Sequence, residues 1–168
     1  MNNIVLIGMP GCGKSTVGVV LAKNMALDFI DSDLLIQRDM GKRLSAIIEE
    51  HGDDGFRAIE NRVNSGIQAE NSVIATGGSV VYGEEAMAHL KSIGTVIYLK
   101  LSYEQIEERL GNLHARGVSI RPGQTLRDLY EERCPLYERW ADMVVACDGK
   151  RLREVVLYIT GKLTEERA

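Results

Sequence analysis

Residues 8–15 read GMPGCGKS. This stretch follows a short β-branched run, NIVLIG at 3–8, and precedes a helical pattern at 14–26. The spacing G-x-x-x-x-G-K-[ST] between a strand and a helix is that of a phosphate-binding P-loop. Its glycines let backbone N–H groups curl around phosphate oxygens, and the helix behind them aims its positive end at the same point. Gly11, Cys12, Gly13, Lys14, Ser15 and Thr16 are therefore the candidate nucleotide contacts. In such loops the lysine reaches the β- and γ-phosphates and the serine hydroxyl goes to Mg2+, which assigns Lys14 and Ser15. Cys12 occupies a variable position of the motif and reads as tolerated filler rather than as a reactive thiol.

Outward from the loop, short apolar runs alternate with longer helical patterns. The runs LDFI (27–30), SVIAT (72–76), GTVIYLKL (94–101) and DMVVAC (142–147) are separated by helical stretches at 33–69, 84–92, 102–110 and 125–139, and a helix at 151–164 closes the chain. That alternation predicts βαβ units and an α/β fold with a largely parallel sheet. Near-continuous apolar strands such as IVLI and VIYL fit a sheet covered on both faces. Residues 111–125, GNLHARGVSIRPGQT, have three glycines, a proline and no clear period. They read as a loop, and a loop this long in a compact domain is usually functional or disordered.

The bulk numbers narrow the classes. A chain of 168 residues suits one domain, so 1–168 is read as a single unit. Its net charge of −4 argues against non-specific binding to nucleic acid or to an anionic membrane. No apolar stretch approaches the roughly 20 residues that span a bilayer, and the first apolar run is too short for a signal peptide, so a cytoplasmic protein is expected. Three cysteines, far apart and without CxxC spacing, argue against a disulfide framework and against a zinc site. No guanine-reading N-K-x-D occurs, so an ATP-dependent small-molecule kinase is favoured over a switch or a motor.

A kinase must also place an acceptor hydroxyl in line with the γ-phosphate. The stretch FIDSD at 29–33 puts two aspartates at the end of the second strand, where ligands of parallel sheets collect. If the strand runs on, Asp31 and Asp33 point to one side of it and repel unless a cation intervenes. One carboxylate beside Mg2+ and the other on the acceptor hydroxyl would relieve that repulsion. The plainer alternative is that Asp33 caps the next helix, with Asp31 in a turn. Arg57 and Glu60 lie three apart in a helical pattern and so share a face, as a site pair or as a surface ion pair. Gly77 and Gly78 follow the third strand, for close backbone approach to a ligand or for a tight turn.

Together GMPGCGKST (8–16), DSD (31–33), FRAIE (56–60), ATGGS (75–79) and ERCPLYERWAD (132–142) resemble the shikimate kinases, over about residues 3–160. The resemblance implies a P-loop three-layer α/β/α sandwich with a five-stranded parallel sheet, a nucleoside-monophosphate-kinase-like fold with a mobile lid at 111–124. It implies phosphorylation of the 3-hydroxyl of shikimate by ATP with Mg2+, in aromatic amino-acid biosynthesis. The resemblance also implies that Lys14 and Ser15 serve phosphate and metal, that Asp31 belongs to the metal shell, and that Asp33 contacts the acceptor hydroxyl and is the candidate base. By the same resemblance Arg57 and Arg133 look like the pair that grips the substrate carboxylate, a pairing suited to the guanidinium fork. The resemblance further implies backbone contacts from Gly77 and Gly78, and Glu60 would then orient Arg57. Arg116 and Arg121 both qualify as the lid arginine, and Arg151 or Lys150 as the residue that borders the adenine, against the plainer reading of solvated charges at a helix start. The expected partners are ATP and a carboxylated hydroxy acid, with neither nucleic acid nor membrane, and the expected state is a monomer. The chain departs from the family pattern at Ser79, where a third glycine is usual, at Gly52-Asp53, where Gly-Glu is common, and in the lid, HARGVSIRPGQTL. The alternatives are a relative acting on a different small hydroxy acid or polyol, and a nucleotide-binding module with no acceptor.

Overall fold

The structure is a computed structural model that describes residues 2–110, 118 and 120–168. Five strands, β1 (Asn3–Ile7), β2 (Asp28–Asp31), β3 (Ser72–Ala75), β4 (Gly94–Lys100) and β5 (Met143–Ala146), form one parallel sheet in the order β2-β3-β1-β4-β5. Every residue of β1 and β3 is buried. Successive side chains point to opposite faces, so both faces of the sheet centre are covered, as the unbroken apolar runs require. The edge strands β2 and β5 are partly exposed.

The helices are α1 (Lys14–Met25), α2 (Ser32–Met40), α3 (Leu44–Ser65), α4 (Glu84–Ile93), α5 (Tyr103–Arg109), α6 (Leu126–Trp140) and α7 (Leu152–Arg167), with a 3-10 turn at Val80–Tyr82. The helical pattern read across 33–69 is two helices, and α3 itself breaks at Gly52 (φ 71°, ψ 177°). A left-handed backbone of this kind is cheap only for glycine. Beyond the break, α3 carries Phe56, Arg57 and Glu60. Phe56 packs with Ile36 of α2 and Ile47 in a small core separate from the main one. At the other end of the site, α6 starts on a reciprocal cap between Thr125 and Asp128, which satisfies two orphaned N–H groups at once.

One glycine of α1 fixes how closely this helix approaches the sheet. A Cβ on Gly18 would lie 2.7 Å from Cε2 of Phe29 and 3.4 Å from Cδ1 of Leu6. Gly18→Ala is expected to cost about 1–3 kcal/mol by overpacking, although alanine is the better helix former. Urea denaturation checks this, and a stability gain would show that α1 can shift outward.

Candidate active site

The strand order turns about β1, with β3 on one side and β4 on the other, and the crevice at the carboxyl ends is where parallel sheets hold ligands. The P-loop leaves β1 there and enters α1 through Gly11 (φ 78°) and Gly13 (φ 95°), conformations that only glycine adopts readily. Lys14 is nearly buried, and its Nζ donates to the carbonyls of Gly8 (2.8 Å) and Met9 (2.9 Å). Ser15 Oγ donates to Asp31 Oδ2 at 3.2 Å, so the loop hydroxyl and the β2 carboxylate converge on one point.

The two aspartates are arranged differently from the period-two expectation. The strand ends at Asp31, which is the N-cap of α2, and its Oδ1 accepts from the Asp33 backbone N–H at 3.0 Å. Asp33 therefore stands in the first helical turn rather than on the strand, and the cap belongs to Asp31, not to Asp33. The helix start separates the two carboxylates. Asp33 is half-buried, and burial, followed by the Asp31 charge, pushes its carboxyl up to about 6, with Lys14 pulling the other way.

Asp33 and the P-loop share a cleft of 420 Å³ with Gly77, Gly78, Ser79, Glu60 and Arg133, a size typical of small-ligand sites. Both glycines serve by leaving space. A Cβ on Gly77 would meet Glu60 Oε2 at 2.6 Å and Asp33 Oδ1 at 2.8 Å, and one on Gly78 would meet Pro10 Cδ at 2.6 Å. Tyr137 of α6 donates its hydroxyl to the Gly78 carbonyl at 2.6 Å, and one turn earlier Arg133 is buried at 1% exposure. Arg57 and Arg133 are brought to one aromatic ring. Their Cζ atoms lie 3.7 Å and 5.5 Å from the centroid of Tyr82, within cation–π range.

Glu60 does not pair with Arg57. Among the described residues no hydrogen bond or ion pair joins them; Glu60 Oε1 instead accepts from Ser79 Oγ, and Oε2 has no partner. Burial, the largest influence, raises the Glu60 carboxyl to about 7.

The remaining expected contacts fare variously. Cys12 is buried, its N–H donates to the Met9 carbonyl, and its Sγ lies beneath the loop, 3.8 Å from Lys14 Nζ; it is not among the residues lining the cleft. Arg116 lies outside the described residues, as does most of the lid at 111–124. Arg121 is exposed, with its backbone N–H on Gln124 Oε1. Arg151 is exposed at the N-cap of α7 and does not line the cleft. The cation over the P-loop is Arg109, at the end of α5, whose Nη1 donates to the Gly11 carbonyl at 3.4 Å. A basic residue in a last helical turn is common in sequence, so nothing there singled it out. Tyr82 was equally silent.

The geometry agrees with the similarities of the chain. The family described as shikimate kinase matches residues 10–164. The shikimate kinase of Francisella tularensis subsp. holarctica is 41% identical over 98% of this chain and 96% of the relative. That of Pseudomonas entomophila is 39% identical over 98% of each. Among solved structures, shikimate kinase from Acinetobacter baumannii in complex with shikimate superposes with a TM-score of 0.84 at 29% identity, over 99% of this chain and 94% of the other. The enzyme from Aquifex aeolicus gives 0.83 at 34% identity over 98% of each. Likeness of fold, order of motifs and identity along nearly the whole length agree, and the chain belongs to the shikimate kinase family, ATP-using phosphotransferases that act on a hydroxyl group.

Proposed function

We propose that this protein transfers the γ-phosphoryl group of ATP to the 3-hydroxyl of shikimate. The observation that carries the reading is that Asp33 and the P-loop line one cleft with Arg133. A base, a phosphate cradle and a carboxylate-binding cation thereby meet within the reach of one small hydroxy acid. Asp33 accepts the hydroxyl proton as the oxygen attacks the γ-phosphorus, and the bond to the bridging oxygen of ADP breaks. Arg57 and Arg133 hold the acceptor carboxylate, and Gly77 and Gly78 admit the ring close to the backbone. The Lys14 ammonium donates to the Gly8 and Met9 carbonyls and, more weakly, to Cys12 Sγ, and it serves the phosphates by exchanging one of these contacts when the nucleotide binds. Arg109 supplies a second cation over the loop, and this supports it, rather than Arg151, as the nucleotide neighbour. Arg116 or Arg121 adds a lid contact on closure.

Ser15 and Asp31 would hold Mg2+. Their adjacent oxygens suit an ion that takes one or two protein ligands and completes its shell with phosphate and water. When bound, it neutralises charge on the transferring phosphates. The reading includes a cytoplasmic monomer without nucleic-acid or membrane partners. The acidic net charge argues against non-specific binding to nucleic acid or to an anionic membrane, and no helix among the described residues is long and apolar enough to cross a membrane.

A coupled ADP-release assay over a panel of carboxylated hydroxy acids and polyols tests the substrate. Shikimate is expected to give the highest kcat/KM, by at least about 100-fold over analogues lacking the carboxylate, because an Arg site left without its anion forfeits charge-assisted hydrogen bonds. Turnover of another acceptor with none of shikimate would overturn the assignment. ADP release that no acceptor raises above background would point to a nucleotide-binding module instead.

A further inference from the structure

We propose that Tyr137 and the Cβ of Ser79 are two independent locks on the Gly78–Ser79 peptide, which keep the turn after β3 in the one of its two orientations that receives the acceptor. The proposal rests on the reading of this turn as part of the acceptor site. Residues 77–80 form a β-turn closed by the Val80 N–H, which donates to the Gly77 carbonyl at 3.3 Å. Ser79, at its third position, has φ −95° and ψ 2°, the values of a type I turn. Turning the central peptide over converts type I to type II and carries the third residue to a φ of about +80°. The two forms differ in which end of the Gly78–Ser79 peptide meets the cleft.

A trans peptide points its carbonyl and its N–H to opposite sides. Here the carbonyl side is the core side. Tyr137 is wholly buried, stacked on Tyr98 of β4 with ring centroids 5.1 Å apart, and donates its hydroxyl to the Gly78 carbonyl at 2.6 Å. The same hydroxyl lies 3.7 Å from Met9 Sδ in the P-loop, so the turn is held in register with the phosphate cradle. Neither end of the peptide has another hydrogen-bond partner among the described residues. Ser79 is buried and lines the cleft, and an N–H left free in such a place is one that a ligand satisfies. Turned over, the peptide would offer a carbonyl instead, which repels an anionic acceptor.

The two locks act by different physics. Tyr137 stabilises the type I form, because turning the peptide over leaves its hydroxyl buried without an acceptor. Ser79 destabilises the type II form, because a side chain at that φ is strained where glycine is not. The position at which this chain departs from the usual third glycine is thus the one whose φ the turn would reverse.

A double-mutant cycle in steady-state kinetics tests this, with ATP saturating and shikimate varied. Either lock alone holds the turn, so Tyr137→Phe and Ser79→Gly are each expected to raise the acceptor KM less than about twofold. Together they raise it about tenfold, because KM grows as the inverse of the fraction of protein in the receptive form. Ser79→Ala combined with Tyr137→Phe loses the same two hydroxyls but keeps the Cβ, and its KM stays within about twofold of that of Ser79→Ala. Throughout, kcat and the KM for ATP stay within about twofold, which a general loosening of the core would not spare. The crystal structure of the Ser79→Gly, Tyr137→Phe protein without acceptor is expected to show position 79 at positive φ, a readout independent of activity. A tenfold rise in Tyr137→Phe alone overturns the proposal. So does a combined effect no larger than the product of the single ones, an equal rise in the alanine and glycine pairs, or a turn that stays type I. A native protein that does not turn over shikimate overturns the reading of the site first, and the proposal with it.

Discussion

Asp33→Asn is expected to lower kcat about 1,000-fold, in the middle of the range for loss of a general base, and to leave the KM for ATP within a few-fold. The substitution keeps the size of the side chain and its helical position. The carboxamide can still accept a hydrogen bond from the acceptor hydroxyl, but it cannot take the proton. Asp31→Asn is the informative contrast. Asp31 faces Ser15 Oγ across 3.2 Å and caps α2, so its loss should weaken the hold on Mg2+ and raise the concentration needed for half-maximal rate. Added Mg2+ should then recover most of the Asp31→Asn deficit and none of the Asp33→Asn deficit. Recovery of both, or of neither, would show that the two carboxylates share one role. Kinetics at several Mg2+ concentrations, with ATP fixed and saturating, decide it.

Arg133→Ala should raise the KM for shikimate about 100-fold, because a charge-assisted fork to a carboxylate is lost from a desolvated place. The same change should destabilise the fold by about 2–4 kcal/mol, as expected when a fully buried long side chain is removed from among ionisable neighbours. Arg133 is 1% exposed and contributes a favourable charge to Glu60. The destabilisation should depend on pH. The Glu60 carboxyl lies near 4.5 when unfolded and is raised to about 7 in the fold. The folded state thus binds a proton that the unfolded chain releases, and the stability from this group, complete below about 4.5, is lost as pH rises through about 7. Without Arg133 the ionised form is costlier still, so the gap in Tm between variant and native protein should widen from pH 5 to pH 8. Arg133→Met, which keeps most of the volume, should recover part of the stability and none of the affinity. Arg57 is only half-buried, and Arg57→Ala should match the loss of affinity with a stability change within about 1 kcal/mol. Parallel affinity and stability losses in Arg57→Ala would contradict this division. Thermal melts and acceptor titrations of the three variants supply both readouts.

Much of the architecture was legible because it is written in short-range patterns. The P-loop announces itself in GMPGCGKS, since the backbone turn needs glycine at Gly11 and Gly13 and the chemistry needs Lys14 and Ser15. The alternation of apolar runs with helical periods foretold a parallel α/β sheet, and the unbroken apolar character of β1 and β3 foretold that they would be covered on both faces. The family resemblance then supplied candidates, Asp33, Arg133, Gly77 and Gly78 among them, that line one cleft.

Partnerships inside that cleft were not legible, because they depend on chain segments that meet only after folding. Period-two reasoning put Asp31 and Asp33 on one strand face. The chain instead starts a helix at Ser32, since capping by Asp31 satisfies an N–H that an extended strand would have left at the sheet edge. The helix rule paired Arg57 with Glu60, yet that rule describes two side chains with no better offer, and the turn after β3 makes each of them one. Arg109 reaches Gly11 from 98 residues away along the chain, and Tyr82 meets two arginines from different helices. The sheet, the phosphate loop and the class of chemistry follow from local periodicity and from conformations only glycine allows, and so are written in the chain itself. The tertiary structure alone decided which carboxylate faces which cation, because in a desolvated pocket the partner is chosen by the packing of distant elements rather than by spacing along one of them.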